Sequence, residues 1–319
     1  MNEVQTGEGS ALQTISGNQV SDFSFGTMQF GAKATEQDSA EMYDECRTAG
    51  INFFDTANAY TDGHSERMLG ELVAKERDDI FVATKCAGTV VAKPEKIKAE
   101  FDESRGRLGM DTVDLLYLHR WDPDTPLEDT YAVVAEWVES GSIRYVGVSN
   151  YAAWQVMKGR QLAQSMGFDI TFIQPMYNIV KRQVEVEILP MAISEGFSVC
   201  PYSPLGGGLL TGKYAGGAGG RLLDDPMYEQ RYGPKWMHDA ATALSELAEE
   251  VGVSPATLAV SWVAQHKGVH GPIISARSAE QLEPSLDAIN FDMSPDLYAK
   301  LCELAPTPAP ATDRLEESG

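Results

Sequence analysis

Positive charge, paired cysteines and long apolar runs are all scarce in this chain. Its 25 lysines and arginines face 47 aspartates and glutamates, a formal net charge of −22 over 319 residues. Such a field repels nucleic acid and anionic membrane surfaces, so an anionic ligand depends on cations gathered in its own site. The four cysteines, Cys46, Cys86, Cys200 and Cys302, contain no Cys-x-x-Cys pair. That spacing suggests neither a zinc site nor a disulfide framework, and reduced thiols fit a cytoplasmic protein. No run of 18 apolar residues is available to span a bilayer, and Met1 to Val20 lacks the basic start and apolar middle of a secretory signal. The histidines have no metal-ligand spacing, and His-x-His does not occur, so no metal is expected. Gly207 to Lys213 fits Gly-x-x-x-x-Gly-Lys, but Tyr214 stands where a phosphate loop needs a hydroxyl for magnesium.

What is present is a soluble, globular composition, with 43% hydrophobic and 23% charged residues. The length allows two domains or one parallel barrel of roughly 250 residues. Alternation decides for the barrel. Leu12 to Phe25, around Ser16-Gly17-Asn18, reads as a β-hairpin suited to plug a barrel floor. Strands then read at 24–28, 51–55, 80–85, 112–119, 143–149, 172–176, 198–202 and 270–275. Helices read at 36–49, 65–74, 94–108, 127–140, 151–165, 183–195, 236–251, 254–265, 280–289 and 295–304, with Ser65 the expected N-cap of the second. Ser203 to Lys235 is long, glycine-rich and without clear periodicity, a candidate lid. The expectation is a single (β/α)8 domain over 1–319, with an N-terminal arm and hairpin at 1–22 and a mobile, proline-rich tail at 306–319.

The strands end on polar side chains: Asp55, Lys85, His119, Ser149 with Asn150, Gln174, Tyr202 with Ser203, and Ser275. In a parallel barrel these ends converge on one opening. Asp55, Lys85 and His119 close three consecutive strands, and Tyr60 lies in the loop between the first two. A phenol titrates near pH ~10, and an adjacent ammonium lowers that value. Lys85 can supply the ammonium, Asp55 can keep it charged, and His119 can orient a substrate oxygen. Such a phenol suits protonation of an oxygen that becomes an alcohol as hydride reaches carbon. Met176, Met227, Trp121 and Trp236 read as packing or pocket residues, and Arg120 as an ion pair or loop anchor.

These residues carry a family resemblance. From Gly26-Thr27-Met28 through Asn52-Phe53-Phe54-Asp55-Thr56-Ala57, Tyr60, Gly63 to Gly70, Ala83-Thr84-Lys85, Asp114 to Arg120 and Gly147-Val148-Ser149-Asn150, the chain resembles the aldo-keto reductases. Gln174 to Asn178, Tyr202-Ser203-Pro204-Leu205, Arg277 and Gln281 extend the match over roughly 22–300. The resemblance implies a catalytic four of Asp55, Tyr60, Lys85 and His119, and NADPH or NADP+ bound without a Gly-x-Gly-x-x-Gly motif. It assigns Ser149, Asn150 and Gln174 to the nicotinamide carboxamide, with Tyr202 stacked on the ring, and counts Gly26, Thr27, Met28 and Asp55 among the cofactor-binding residues. Ser203, Pro204, Leu205, Gly206 and Lys213 would cover the pyrophosphate, and Ser275, Arg277, Gln281 and Ser285 would hold the adenosine and its 2′-phosphate. Ser275 replaces a common glycine and Ser285 a usual asparagine. The implied partner is a small carbonyl compound, its identity set by loops such as 89–93, 121–126 and 203–235. A cofactor-binding sensor or channel regulatory subunit on the same barrel is the alternative.

Overall fold

The computed structural model describes residues 12–213, 226–314 and 316. Eight parallel strands form one sheet: β1 Ser24–Gly26, β2 Phe53–Asp55, β3 Phe81–Cys86, β4 Val113–Leu118, β5 Ile143–Ser149, β6 Phe172–Gln174, β7 Ser198–Val199 and β8 Ile273–Ile274. They lie in the order β8-β1-β2-β3-β4-β5-β6-β7. Closure comes from backbone bonds, His270 N–H to Val199 O at 2.8 Å and Ile273 N–H to Pro201 O at 2.9 Å. Around this (β/α)8 barrel run α1 Glu36–Thr48, α2 His64–Val73, α3 Pro94–Leu108, α4 Leu127–Glu139, α5 Ala153–Ser165, α6 Ile188–Glu195, α7 Pro226–Tyr232, α8 Lys235–Val251, α9 Pro255–Ala264, α10 Ala279–Asp287 and α11 Pro295–Glu303.

Prolines shorten three strands relative to their apolar runs. β6 stops before Pro175, β7 stops two residues before Pro201, and β8 starts after Pro272. A proline has no N–H for the ladder, although its carbonyl still accepts; Pro175 O takes the Tyr202 N–H at 2.9 Å. The helix expected at 183–195 divides into a 3₁₀ turn, Gln183–Glu185, and α6. Pro190 is the cause, since it cannot donate to the carbonyl four residues back. Ser65 is not an N-cap. It lies inside α2, its N–H bonded to Thr61 Oγ1 at 2.9 Å and its hydroxyl bonded to Thr27 O at 2.8 Å.

The period of two in each strand sorts residues into two layers. Phe54, Val82, Leu116, Val148 and Ile173 face the helices, whereas Phe53, Phe81, Leu115, Tyr117 and Phe172 fill the barrel interior. The N-terminal hairpin closes the floor. It covers less than expected, with Gln13 bridged to Gln19 and the chain from Ser24 already in β1. Val20 joins the interior cluster, with Leu12 packed against it. After β7, the described parts of the expected featureless loop hold a 3₁₀ segment, Gly206–Thr211, and α7; residues 214–225 of that expected lid lie outside the described residues. The expected tail lies in no helix or strand over 306–314. Among the described residues no helix is long and apolar enough to cross a membrane.

Candidate functional site

Asp55 ends β2 and Lys85 lies near the end of β3, both pointing inward, Asp55 level with Ala83 just above Phe53 and Phe81 and Lys85 one inward position higher on its strand. Their side chains form an ion pair with almost no exposure. Lys85 Nζ also donates to Thr56 O at 2.7 Å and to the Tyr60 hydroxyl at 3.3 Å. Gln174 Nε2, 119 residues away in sequence, donates to Asp55 Oδ2 at 2.9 Å. Tyr60 opens a short 3₁₀ turn in which Thr61 and Asp62 take positive φ of 48° and 53°. Six of the seven described non-glycine residues with positive φ (Thr61, Asp62, Ala87, Val90, Asn150 and Ser203) lie in loops leaving the C-terminal ends of strands. Backbone strain of this kind concentrates at sites whose surroundings over-determine the conformation.

The polar strand ends connect. Tyr202 donates to Asn150 Oδ1 at 2.7 Å, Asn150 Nδ2 donates to Ser149 Oγ at 3.1 Å and to His119 O at 3.1 Å, and Ser149 Oγ donates to Gln174 O at 2.9 Å. One network therefore runs from Tyr202 to Gln174 and on through Asp55 and Lys85 to Tyr60. The His119 ring meets Tyr60 edge to face at 6.1 Å, and its buried Nδ1 has no hydrogen-bond partner. The expected four are thus neighbours, joined to four of the residues assigned to the nicotinamide.

The outer assignments separate. Gly26 sits where a Cβ would meet Ile273 Cγ2 at 2.9 Å, Thr27 is buried with its hydroxyl on Asp55 O at 3.2 Å, and Met28 is exposed. Ser203 O accepts from Asn178 at 2.9 Å, Pro204 is buried, and Leu205 and Lys213 are half-buried. Gly206, Gly207 and Gly208 all have positive φ. Ser275 and Gln281 are exposed and Arg277 half-buried around the start of α10, but Ser285 is buried with an unpartnered hydroxyl and does not face solvent with them. Arg120 is exposed and makes no ion pair among the described residues, so of its two expected roles the ion pair is not formed there. Trp121 packs edge-on against Tyr151 and Trp154, Met176 Sδ accepts from Tyr232, and Met227 and Trp236 are exposed. No group of three or more His, Cys, Asp or Glu that could hold a metal is found among the described residues.

Comparison with known proteins matches the Aldo/keto reductase family model to residues 22–306. The chain belongs to that family. It is 32% identical over 261 residues to the L-glyceraldehyde 3-phosphate reductase of Escherichia coli K12, covering 76% of this chain and 75% of the relative. It is 31% identical over 295 residues to a probable voltage-gated potassium channel subunit beta of Arabidopsis thaliana, covering 86% and 89%. Over 316 residues it is 29% identical to the uncharacterized oxidoreductase YrpG of Bacillus subtilis, covering 93% and 95%. The family and its oxidoreductase relatives support carbonyl reduction in general.

Electrostatics in this aldo/keto reductase barrel are set by burial and one ion pair. Burial works against the Lys85 charge, yet Asp55 and Tyr60 outweigh it and hold its pKa above the ordinary lysine value. For Tyr60 the balance differs from the sequence expectation. Burial pushes the phenol above its ordinary value and Lys85 pulls it back only in part, so the ring carries its proton at neutral pH. Burial, then Lys85 and Arg120, press His119 down to about 3, which leaves a neutral imidazole.

Sequence reasoning missed the residues that hold the Tyr60 loop. Glu66 is fully buried, accepts from Thr84 at 2.7 Å and pairs with Arg107 at 3.2 Å, while Arg107 also donates to Asn58 O at 3.2 Å. No local pattern ties Arg107 on α3 to a loop 49 residues earlier. Tyr228 and Tyr232, stacked at 6.4 Å on α7, were missed as well. Their i, i+4 spacing was a readable helical signal.

Proposed function

We propose that this protein reduces an aldehyde or ketone to an alcohol, and catalyses the reverse, with NADPH as hydride donor and Tyr60 as proton donor. The observation that carries the reading is the buried Asp55–Lys85 pair with Lys85 bonded to the Tyr60 hydroxyl. Asp55 holds the ammonium, the ammonium stabilises the phenolate left after proton transfer, and the raised phenol pKa keeps the proton in place until negative charge develops on the substrate oxygen. His119, neutral and with a vacant Nδ1, offers a polar contact to that oxygen without adding a charge.

The residues fit a nicotinamide cofactor. Ser149, Asn150 and Gln174 supply amide and hydroxyl partners for a carboxamide, the Tyr202 ring offers a stacking face, and the three positive-φ glycines make a side-chain-free cradle for phosphates. Bound there, the cofactor supplies hydride to the carbonyl carbon. Arg277 beside the start of α10 offers a guanidinium to a 2′-phosphate, which favours NADPH over NADH.

The test is Tyr60→Phe. Turnover of an aromatic aldehyde falls by at least about 10²-fold while NADPH binding, followed by fluorescence, survives. Retention of more than a tenth of wild-type turnover removes Tyr60 from this role. The channel-subunit relatives supply a second reading, a barrel that binds the cofactor to sense redox state; tight NADPH binding with no turnover over a broad carbonyl panel would favour it.

A further inference from the structure

Two cations stand together on the mouth of this acidic chain with no carboxylate partner among the described residues. Lys181 lies in the loop after β6, tied by backbone bonds in both directions to Asn178, and its Nζ sits 5.7 Å from the centre of the Tyr232 ring. Arg231 lies on α7, its guanidinium 5.4 Å from the centre of the Tyr228 ring. The two tyrosines stack on each other, and Asn178 Nδ2 donates to the Tyr232 hydroxyl at 3.3 Å and to Ser203 O at 2.9 Å, so one framework ties both cations to Ser203, the residue that follows Tyr202. Neither makes an ion pair among the described residues, although the adjacent Arg182 pairs with Glu185 at 2.9 Å.

The electrostatics agree with the placement. Burial and then Arg231 depress the Lys181 ammonium, and both Arg231 and Arg120 act against the effect of burial on the Tyr202 phenol. Like charges held close repel, and with 47 acidic residues in the chain a compensating carboxylate was available in composition, yet none is paired with either cation among the described residues. An anion seated between Lys181 and Arg231 removes that repulsion. The cation–π contacts orient both heads without neutralising them.

We propose that Lys181 and Arg231 form an anion subsite that selects carbonyl substrates carrying a carboxylate or phosphate remote from the reacting carbon. This rests on carbonyl reduction as the activity. It also gives a local answer to the global charge, because the −22 field offers such a substrate no long-range attraction.

The experiment compares 4-carboxybenzaldehyde with its neutral methyl ester in wild type, Lys181→Met, Arg231→Met, and the charge-keeping Lys181→Arg and Arg231→Lys. The expected result is a preference for the carboxylate whose kcat/KM ratio over the ester falls about tenfold or more in each Met variant, the size of one charge-assisted contact. The charge-keeping variants retain most of the ratio, which separates lost charge from lost folding. An unchanged ratio in both Met variants overturns the proposal. So does a fall in NADPH affinity, measured by calorimetry, with no change in the ratio, since the pair would then serve the cofactor. If neither aldehyde turns over, the reduction reading fails on its own; calorimetric affinities for the same two compounds then decide, a charge preference abolished in the Met variants supporting the subsite and its absence overturning it.

Discussion

The barrel floor and the barrel mouth are built from the same strands, two residues apart. Phe53 and Asp55, Phe172 and Gln174, Cys200 and Tyr202, Ile273 and Ser275 point into the same interior, the first of each pair packed and the second at or near the opening. Below, Phe172 is ringed by Phe53, Phe81, Tyr117 and Tyr145 at 5.9 to 6.5 Å. Above, hydrogen bonds replace packing. The floor keeps water from beneath the Asp55–Lys85 pair, which strengthens its attraction, and the pair in turn depends on that floor for its geometry. Stability and chemistry are therefore expected to separate only partly between the two layers.

Lys85→Met breaks the comparison most severely. It removes the group proposed to stabilise the phenolate and leaves Asp55 buried with Gln174 as its one remaining side-chain partner among the described residues. Turnover is expected to fall by at least about 10²- to 10⁴-fold, and stability by about 3 to 5 kcal/mol from the uncompensated carboxylate. Denaturant unfolding beside steady-state kinetics measures both. Adding Asp55→Leu should restore much of the stability and none of the turnover. Recovery of both together would mean that the pair is structural only.

Phe172→Ala tests the floor by itself. Removal of the central ring costs about 3 to 5 kcal/mol, read as a lower unfolding midpoint, while molecules that remain folded keep their turnover. A loss of turnover as large as that of Lys85→Met, in folded protein, would show that the floor positions Gln174 and hence Asp55 more tightly than packing alone requires.

The division into floor and mouth was largely legible in the sequence, because apolar runs ending on Asp55, Lys85, His119, Ser149 and Gln174 state both the strand and its functional end. Tyr60, in the loop after the second strand, and Asn150, beside Ser149, were legible from the same pattern, and the resemblance added the loop residues assigned to the pyrophosphate and adenosine. What was not legible depended on contacts distant along the chain. The clamp of Arg107 on Asn58, the shared hydroxyls of Thr27, Ser65 and Thr56, and the burial that raises the Tyr60 phenol all need the folded surroundings. Ser65 was misplaced because a serine near a helix start looks alike whether it caps the backbone or bonds a neighbouring strand. The prolines at 175, 190, 201 and 272 were visible, and their missing donors account for the shorter elements.

A smaller effect comes from His119, whose folded pKa of about 3 lies below the unfolded value near ~6.5. Between those values the unfolded chain binds a proton that the folded one refuses, so this residue's contribution makes stability rise with pH and fall as pH drops through 6.5 toward 3. Allowing for water at a half-buried ring, the loss is about 2 to 4 kcal/mol. His119→Gln removes it: the mutant should gain on wild type in unfolding free energy as pH falls from 7 to 4. A constant difference would show that His119 titrates normally. Wild-type turnover should likewise lack an imidazole limb near pH ~6.5.

The smallest expected effect lies at the rim, where nothing packs as the floor does and no network like that of the mouth has formed. Arg277 is half-buried between β8 and α10, whose N-cap Ser278 accepts the Gln281 N–H at 3.4 Å. A guanidinium beside a helix N-terminus suits a phosphate dianion on two counts, its own charge and the helix dipole. Arg277→Ala removes only the first. The expected loss of NADPH affinity is therefore one charge-assisted contact, about 1.5 to 3 kcal/mol, with the helix terminus still contributing and NADH affinity little changed. Ser285, buried rather than presented beside Gln281, offers no second contact in this arrangement. Dissociation constants for both cofactors, in wild type and mutant, measure the difference. Equal loss of NADH and NADPH would place Arg277 on a part of the cofactor common to both, and an unchanged NADPH affinity would give recognition of the 2′-phosphate to the backbone of α10 instead.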